Sequence, residues 1–235
     1  MNEKISIIIP VYNEEDFIKD TLKGLLEADI KNLGEIIVVD DGSVDETKKK
    51  VCEIKSAFIH YYSLARNRGK GAALRKGLEL SRYPVIVFLD GDLGYSSKEI
   101  KKLLKAIDDK SVDFVIADFP PPLHKGGFGF VKKLSQKGVY FLTGQKIKNP
   151  ICGQRIFRKE ILADIAIPDG FAVEVGMLID LLNHGFRVRE IPVFMRHRES
   201  KRDLKGFIHR GKEFIQILQI LIKKYFQYKN PWNRW

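Results

Sequence analysis

Pro84-Val85-Ile86-Val87-Phe88-Leu89-Asp90-Gly91-Asp92 is a run of β-prone apolar residues closed by two carboxylates with one glycine between them. So dense an apolar run predicts a buried strand. Open α/β sheets bind ligands beyond the carboxyl ends of their strands. Asp90 and Asp92 therefore stand where a ligand is expected, and Gly91 lets the backbone turn and a ligand come close. Paired hard oxygen donors suit Mg²⁺ or Mn²⁺ shared with a substrate diphosphate, because these ions take few carboxylates and fill their shell with phosphate oxygens. An acidic turn after a strand would look the same in isolation, so the surrounding chain has to decide.

Working outward, strand-like runs at 5–9, 35–39, 58–63, 84–89 and 113–117 alternate with helix-like segments at 14–28, 45–54, 71–81 and 97–108. Leu103, Leu104 and Ile107 form one such helical stripe. Alternation of this kind predicts an α/β fold with a mostly parallel sheet flanked by helices. Ser43 or Asp45 marks the start of the second helix, and Ser96-Ser97-Lys98-Glu99 that of the fourth. The pattern breaks at Phe119-Pro120-Pro121-Pro122-Leu123-His124-Lys125-Gly126-Gly127, which fits neither helix nor central strand and reads as a flexible basic loop over one sheet end. Beyond it, 132–142, 173–183 and 204–228 read as helices, and 153–157 and 188–193 as strands.

With 235 residues, 44% hydrophobic and 30% charged, the chain can bury a sizeable core in one domain with an appendage. Its net charge of +11 is unevenly spread. Residues 119–150 carry six lysines and no acid. Residues 196–235 carry eleven Lys or Arg against Glu199, Asp203 and Glu213, which leaves the remainder mildly acidic. Basic segments on a near-neutral globule point to phosphorylated ligands or an anionic lipid surface. Cys52 and Cys152 have neither metal-site nor disulfide-framework spacing, which fits a reducing cytoplasm. No secretory leader and no uninterrupted apolar run of about 18–20 residues is visible, so the expectation is a cytoplasmic protein, peripheral at the inner face of the membrane.

Four further features fall where this architecture puts strand ends. Ile9-Pro10-Val11-Tyr12-Asn13-Glu14 is a strand that a proline should end, followed by an acidic helix start. Val39-Asp40-Asp41-Gly42-Ser43 is a strand ending in paired Asp. Asn67-Arg68-Gly69-Lys70-Gly71-Ala72-Ala73 opens a helix with glycines and a lysine, which suits phosphate. His197 lies late, among Arg196, Arg198 and Arg202. Singly each is ordinary: acids at helix starts complement the helix dipole, and Gly-Lys-Gly is not a Walker sequence.

In order, these motifs and Asp90-Gly91-Asp92-Leu93 closely resemble those of family 2 glycosyltransferases with the GT-A fold. The polyprenyl- and dolichyl-phosphate sugar synthases and the glucosyl-3-phosphoglycerate synthase group look most similar. The resemblance spans roughly residues 5–200, and implies a GT-A domain over residues 1–203 and a basic amphipathic helix and tail over 204–235. It implies that Pro10, Tyr12, Glu14 and Asp41 hold the nucleoside of a sugar nucleotide, with Asp90 and Gly91 beside the ribose and metal. Asp92 and His197 would be the metal ligands, Lys70 would contact the diphosphate, and Arg202 would neutralise it. Gly91 stands where relatives more often carry Ala or Ser.

Glu174 sits at a helix start near the sheet mouth, where it either faces the acceptor or merely complements the helix dipole. A hydroxyl acceptor would need such a base, whereas a phosphate acceptor is already ionised. The reading is therefore a metal-dependent transferase that moves a sugar from UDP-glucose or GDP-mannose to a polyprenyl-phosphate-type acceptor. Transfer to a small soluble phosphorylated acceptor such as 3-phosphoglycerate is the alternative. A basic membrane or nucleic-acid adaptor is the non-enzymatic one, but acids at the strand ends would repel phosphodiester, so no nucleic acid is expected. Phe207, Phe214, Ile215, Leu218, Leu221, Ile222 and Tyr225 recur at helical spacing with Arg210, Lys212, Lys223 and Lys224 between them, and Trp232 and Trp235 follow. That pattern points to an anionic membrane surface as a partner.

Overall fold

The computed structural model describes residues 3–120, 129–168, 170–197 and 204–229, with side chains from residue 211 onward in the last segment. Its sheet contains β1 (Ile5–Val11), β2 (Leu33–Asp40), β3 (Ile59–Ser63), β4 (Val85–Phe88), β5 (Phe114–Asp118), β6 (Arg155–Arg158) and β7 (Val188–Pro192). The order is β3-β2-β1-β4-β6-β5-β7. Among the described residues only β6 runs antiparallel to its neighbours, β4 and β5. The strand order turns back between β1 and β4, the switch point at which open α/β sheets leave a crevice for ligands.

Among the described residues, seven α-helices flank the sheet: α1 (Ile18–Glu27), α2 (Thr47–Cys52), α3 (Lys70–Leu80), α4 (Ile100–Ala106), α5 (Gly129–Thr143), α6 (Val173–Asn183) and α7 (Leu204–Tyr228). Cover on both faces explains why β1 and β4 are apolar without alternation: Ile7, Ile8, Ile9, Val85, Ile86 and Val87 are all fully buried. They share one core with Ile18 and Leu22 of α1, Leu74 of α3 and Leu103 of α4. Each such side chain contributes roughly 1.5–3 kcal/mol by leaving water.

Several boundaries differ from the sequence expectation. Pro10 lies inside β1, paired with Val39, and does not end the strand. It points to the same side as Ile8, whose carbonyl accepts the Leu89 N–H. The β1–β4 ladder has closed at Phe88 by then, so the missing N–H of Pro10 costs no ladder bond. Helix α1 begins at Ile18 and not at residue 14, because Asn13 takes a left-handed conformation (φ 55°) and residues 14–17 make a turn onto the Glu14 carbonyl. Residues 94–99 form a 3-10 turn before α4, where Ser97 is buried and donates to the Thr21 carbonyl, away from any capping position. Asp45 does receive the Thr47 N–H at the start of α2. Most of the predicted basic loop, residues 121–128, lies outside the described residues, as do Arg202, Trp232 and Trp235 and the side chains of Phe207 and Arg210.

Helix α7 packs Ile217, Ile220 and Leu221 into the common core. Its Lys224 is buried on α6, with Nζ 2.6 and 2.5 Å from the two Asp180 oxygens and the Tyr228 hydroxyl 2.8 Å from the first. Leu221 and Lys224 therefore belong to the inner face, which corrects their reading as parts of an outward apolar stripe and basic face. Among the described residues no helix is long and apolar enough to cross a membrane.

Candidate active site

The loops after β1 and β2 are stitched to each other before they can hold anything else. The Asn13 N–H donates to Ser43 Oγ, the Val44 N–H to Asn13 Oδ1 and the Glu14 N–H to Thr47 Oγ1. Asp40 accepts the Ser43 N–H and the Tyr61 hydroxyl, which closes the turn under Gly42. Asp41 accepts the N–H groups of Arg68 and Gly69, both at 2.7 Å. Those bonds hold the turn that opens α3, where Gly69 has φ 89° and a side chain would be strained. Asp41, expected at the nucleoside, is thus first of all the anchor of the glycine turn. Tyr12 is largely exposed above these loops. A Cβ on Gly91 would stand 2.8 Å from Val11 Cγ1 and 3.6 Å from Glu14 Cγ, so Gly91 lets this loop seat against β1.

Asp90, Asp92 and His197 then come together from the end of β4 and the segment after β7, with one ligand atom of each within 4.8 Å of the others. His197 Nδ1 lies 2.9 Å from Asp92 Oδ1. Lys70, the first residue of α3, reaches across with Nζ 2.5 Å from Asp90 Oδ1 and 2.6 Å from Glu174 Oε1. Burial alone would push the Lys70 ammonium down, but the two carboxylates more than offset it and its pKa is raised. Burial also pushes the Asp90 carboxyl up, and Lys70, with His197 and the Gln154 amide, holds it below the usual carboxylate range. The His197 ring is opposed by burial yet held above its ordinary value by Asp92 and Asp90. Two carboxylates and an imidazole form a mixed oxygen and nitrogen donor set of the kind Mn²⁺ and Mg²⁺ sites use, and the acids outnumber the one lysine between them. The residues present fit a divalent cation.

Sequence reading found Asp90, Asp92, Lys70 and His197, and the fold assembles all four. It placed Asp90 beside the ribose and metal without counting it a ligand, and the structure groups one of its oxygens with the donor atoms of Asp92 and His197. Glu174 is buried in the first turn of α6, with its carboxylate engaged by Lys70 and not turned freely toward an acceptor. Three residues were missed: Gln154 donates to Asp90 Oδ2 at 2.7 Å, Cys152 donates to Gln154 Oε1 at 3.1 Å, and Arg155 is fully buried alongside. Burial pushes the Cys152 thiol up to about 12. The signal for these was present, since Gln-Arg at the mouth of a buried strand is a polar pair where apolar residues are the norm.

Next to the donor set, Phe119 packs its ring 4.9 Å from the His197 ring. Phe119 also lines a cavity of about 440 Å³ with Asp118, Lys132, Gln136, Lys148 and Phe194. This cavity opens at the carboxyl ends of β5 and β7, on the same sheet edge as Asp90 and Asp92.

The family described as Glycosyl transferase family 2 matches residues 6–166. An uncharacterized protein of Methanocaldococcus jannaschii is 33% identical over 90% of this chain and 97% of its own length. The dolichol-phosphate mannosyltransferase of Pyrococcus furiosus is 31% identical over 86% of this chain and 60% of its own length. Among solved structures, the glucosyl-3-phosphoglycerate synthase of Mycobacterium tuberculosis, in complex with Mn²⁺, UDP-glucose and phosphoglyceric acid, superposes with a TM-score of 0.78. That match covers 94% of this chain and 79% of the other at 21% identity, and it carries the fold. With its strand-end motifs in order on a GT-A sheet, this chain belongs to glycosyl transferase family 2 and is a nucleotide-sugar glycosyltransferase.

Proposed function

We propose that this chain transfers a sugar from UDP-glucose or GDP-mannose to the phosphate of a polyprenyl-phosphate acceptor, with Mg²⁺ or Mn²⁺ bound by Asp92, His197 and Asp90. The observation that carries this reading is the convergence of Asp90, Asp92 and His197 beside Lys70 at the sheet switch point. When bound, a divalent cation there supplies charge neutralisation to the departing diphosphate. Lys70 offers a fixed ammonium at the start of α3, where the first-turn N–H groups also favour phosphate. Glu174 and Asp90 hold that ammonium in place, so it needs little reorganisation as charge develops on the leaving group. Tyr12 and Glu14 flank the nucleoside side, and Pro10 and Gly91 shape the backbone under it. Arg202 supplies a second cation for the diphosphate in this proposal.

An ionised acceptor suits this site better than a hydroxyl, because Glu174, the candidate base, is buried and already committed to Lys70. Lys132 and Lys148 in the neighbouring cavity give an acceptor phosphate its counter-charge. The lipid form is favoured by Ile215, Leu218, Ile222, Tyr225 and Phe226 of α7, which stay exposed, the last three beside Phe141 of α5. Lys212, Lys223 and Lys229 accompany them, which supports docking on an anionic membrane. A small soluble acceptor such as 3-phosphoglycerate is the second reading, supported by the modest volume of the lysine-lined cavity.

The test is a panel of labelled UDP-glucose and GDP-mannose, offered polyprenyl phosphate or 3-phosphoglycerate with Mn²⁺, Mg²⁺ or EDTA. Transfer to the lipid phosphate that stops in EDTA is the expected result. Transfer that ignores the cation overturns the metal assignment, and transfer only to phosphoglycerate overturns the lipid one. In a parallel sedimentation with anionic liposomes, binding that weakens as salt rises is expected, and protein that stays in the supernatant at low salt removes the membrane partner.

A further inference from the structure

The segment from Pro150 to Arg155 forms the floor of the acidic site, yet none of it belongs to the strand-end motifs. Asp90 receives a different donor on each oxygen: Lys70 Nζ on Oδ1 at 2.5 Å and Gln154 Nε2 on Oδ2 at 2.7 Å. A carboxylate held at both oxygens does not rotate about its Cβ–Cγ bond, so its remaining lone pairs point in fixed directions. The lysine alone would leave that rotation open.

A primary amide can present either end, and here the choice is made by a third group. Cys152 is buried with its sulfur 3.1 Å from Gln154 Oε1. A thiol donor on the amide oxygen turns the amide NH₂ toward Asp90; the reverse orientation would set two oxygens against each other and leave the thiol facing another donor. The loop is itself clamped. Arg155, fully buried on β6 opposite Phe88 and Ile116, donates from Nε to the Cys152 carbonyl and from Nη2 to the Pro150 carbonyl, both at 2.9 Å. Its Nη1 is buried without a hydrogen-bond partner, and no carboxylate lies within ion-pair distance among the described residues. A buried guanidinium kept for two carbonyl contacts is an expensive brace unless the loop it holds matters. Gly153 shows why the loop must be close: a Cβ there would stand 2.6 and 2.7 Å from the Asp90 oxygens and 2.7 Å from Lys70 Nζ.

We propose that Gln154 is a positioning residue for the Asp90 carboxylate, with its amide orientation set by Cys152 and its backbone held by Arg155. The inference rests on the reading of Asp90 as part of the cation site. Groups that hydrogen-bond a metal-ligating carboxylate typically change metal affinity by 10–100-fold when removed.

The experiment titrates Mn²⁺ into the full chain and counts free Mn²⁺ by its electron paramagnetic resonance, with the melting temperature of the metal-free protein measured in parallel. Gln154→Ala is expected to weaken Mn²⁺ binding about tenfold or more while the metal-free melting temperature stays close to that of the parent. Cys152→Ser keeps a donor on the amide oxygen and should bind within about twofold of the parent; Cys152→Val removes it and should weaken binding in the same sense as Gln154→Ala, by a smaller factor. If Gln154→Ala does not fold, the serine and valine pair at Cys152 carries the test alone. Parent and Gln154→Ala binding Mn²⁺ equally well overturns this inference and leaves the cation site standing. Equal loss in Cys152→Ser and Cys152→Val overturns the amide-orienting role. A parent chain that binds no Mn²⁺ overturns the cation site and this inference together.

Discussion

Helix α6 carries two lysine–carboxylate clusters, one half-buried and one buried, and they are built to opposite ends. Near its start, Glu174 and Asp90 share the single ammonium of Lys70, and Asp92 stands by with His197. Two turns along, Asp180 has both oxygens on Lys224, with the Tyr228 hydroxyl filling a further lone pair. The second cluster is one acid to one base, closed over by α7, and its work is to fix how α7 lies on α6. The first sets three carboxylates around one lysine and opens on the sheet edge, which leaves room for the cation proposed above. The same chemical pair is a lock where acid and base match one to one and, on the proposed reading, a receptor where carboxylates are in excess.

Asp92→Asn breaks the receptor half most severely. It keeps the shape and removes a charge that acts only with the cation and leaving group in place, so turnover should fall by about three orders of magnitude or more. The melting temperature should hardly move. Near-normal turnover in a sugar-transfer assay would remove Asp92 from the ligand set.

Asp180→Ala attacks the lock instead. It leaves Lys224 buried without a counter-charge, which should cost about 3–5 kcal/mol in a denaturant titration. Replacing both partners, Lys224→Met with Asp180→Leu, should recover most of that loss, since buried pairs exchange for apolar ones with little net change. Equal destabilisation by the single and double variants would contradict the balanced-pair reading. Lys70→Met, the same change made at the receptor, should lower kcat/KM by roughly 100-fold with no such repair by a partner mutation.

His197→Ala separates the donor set from its neighbours more gently. We expect roughly a tenfold loss of activity, part of it regained at high Mn²⁺, because the two carboxylates remain. Unchanged Mn²⁺ dependence would return His197 to an ordinary loop residue.

The smallest effect belongs to an ion pair outside both clusters. Burial pushes the Glu35 carboxyl up, but the Arg82 N–H, the Ser6 hydroxyl and the Arg82 guanidinium together hold it below its ordinary value. A carboxyl depressed in the folded state adds stability above its unfolded pKa of about 4.3 and loses it as pH falls through the folded value. Glu35→Gln should therefore flatten the acid side of a melting-temperature profile as pH falls below about 5. Site occupancy by Mn²⁺ should be untouched.

Much of the site was legible because its parts sit at strand ends, where local sequence reports position. Asp90-Gly91-Asp92, Asp40-Asp41 and Gly69-Lys70 each follow a hydrophobic run or open a helix, so a local pattern placed them on one sheet edge. The partners of those residues were not legible. Asp41 was read toward a nucleoside, yet its nearest donors are two backbone N–H groups 27 and 28 residues away. Glu174 was read toward an acceptor or the helix dipole, yet Lys70, more than a hundred residues earlier in the chain, claims it. Lys224 looked like one more cation on a basic helix until Asp180 was found beneath it.

Periodicity, composition and the order of short motifs were enough, by themselves, to determine the α/β sheet, the edge that carries the chemistry and the acidic pair at its centre. These properties depend on which residues face inward along a single strand or helix, and that is written locally. The packing of strands far apart in sequence decided which carboxylates would be spent on lysines, which would stay with His197, and that Gln154 would orient Asp90. Charge balance at a point is a sum over neighbours in space, and only the folded chain chooses those neighbours.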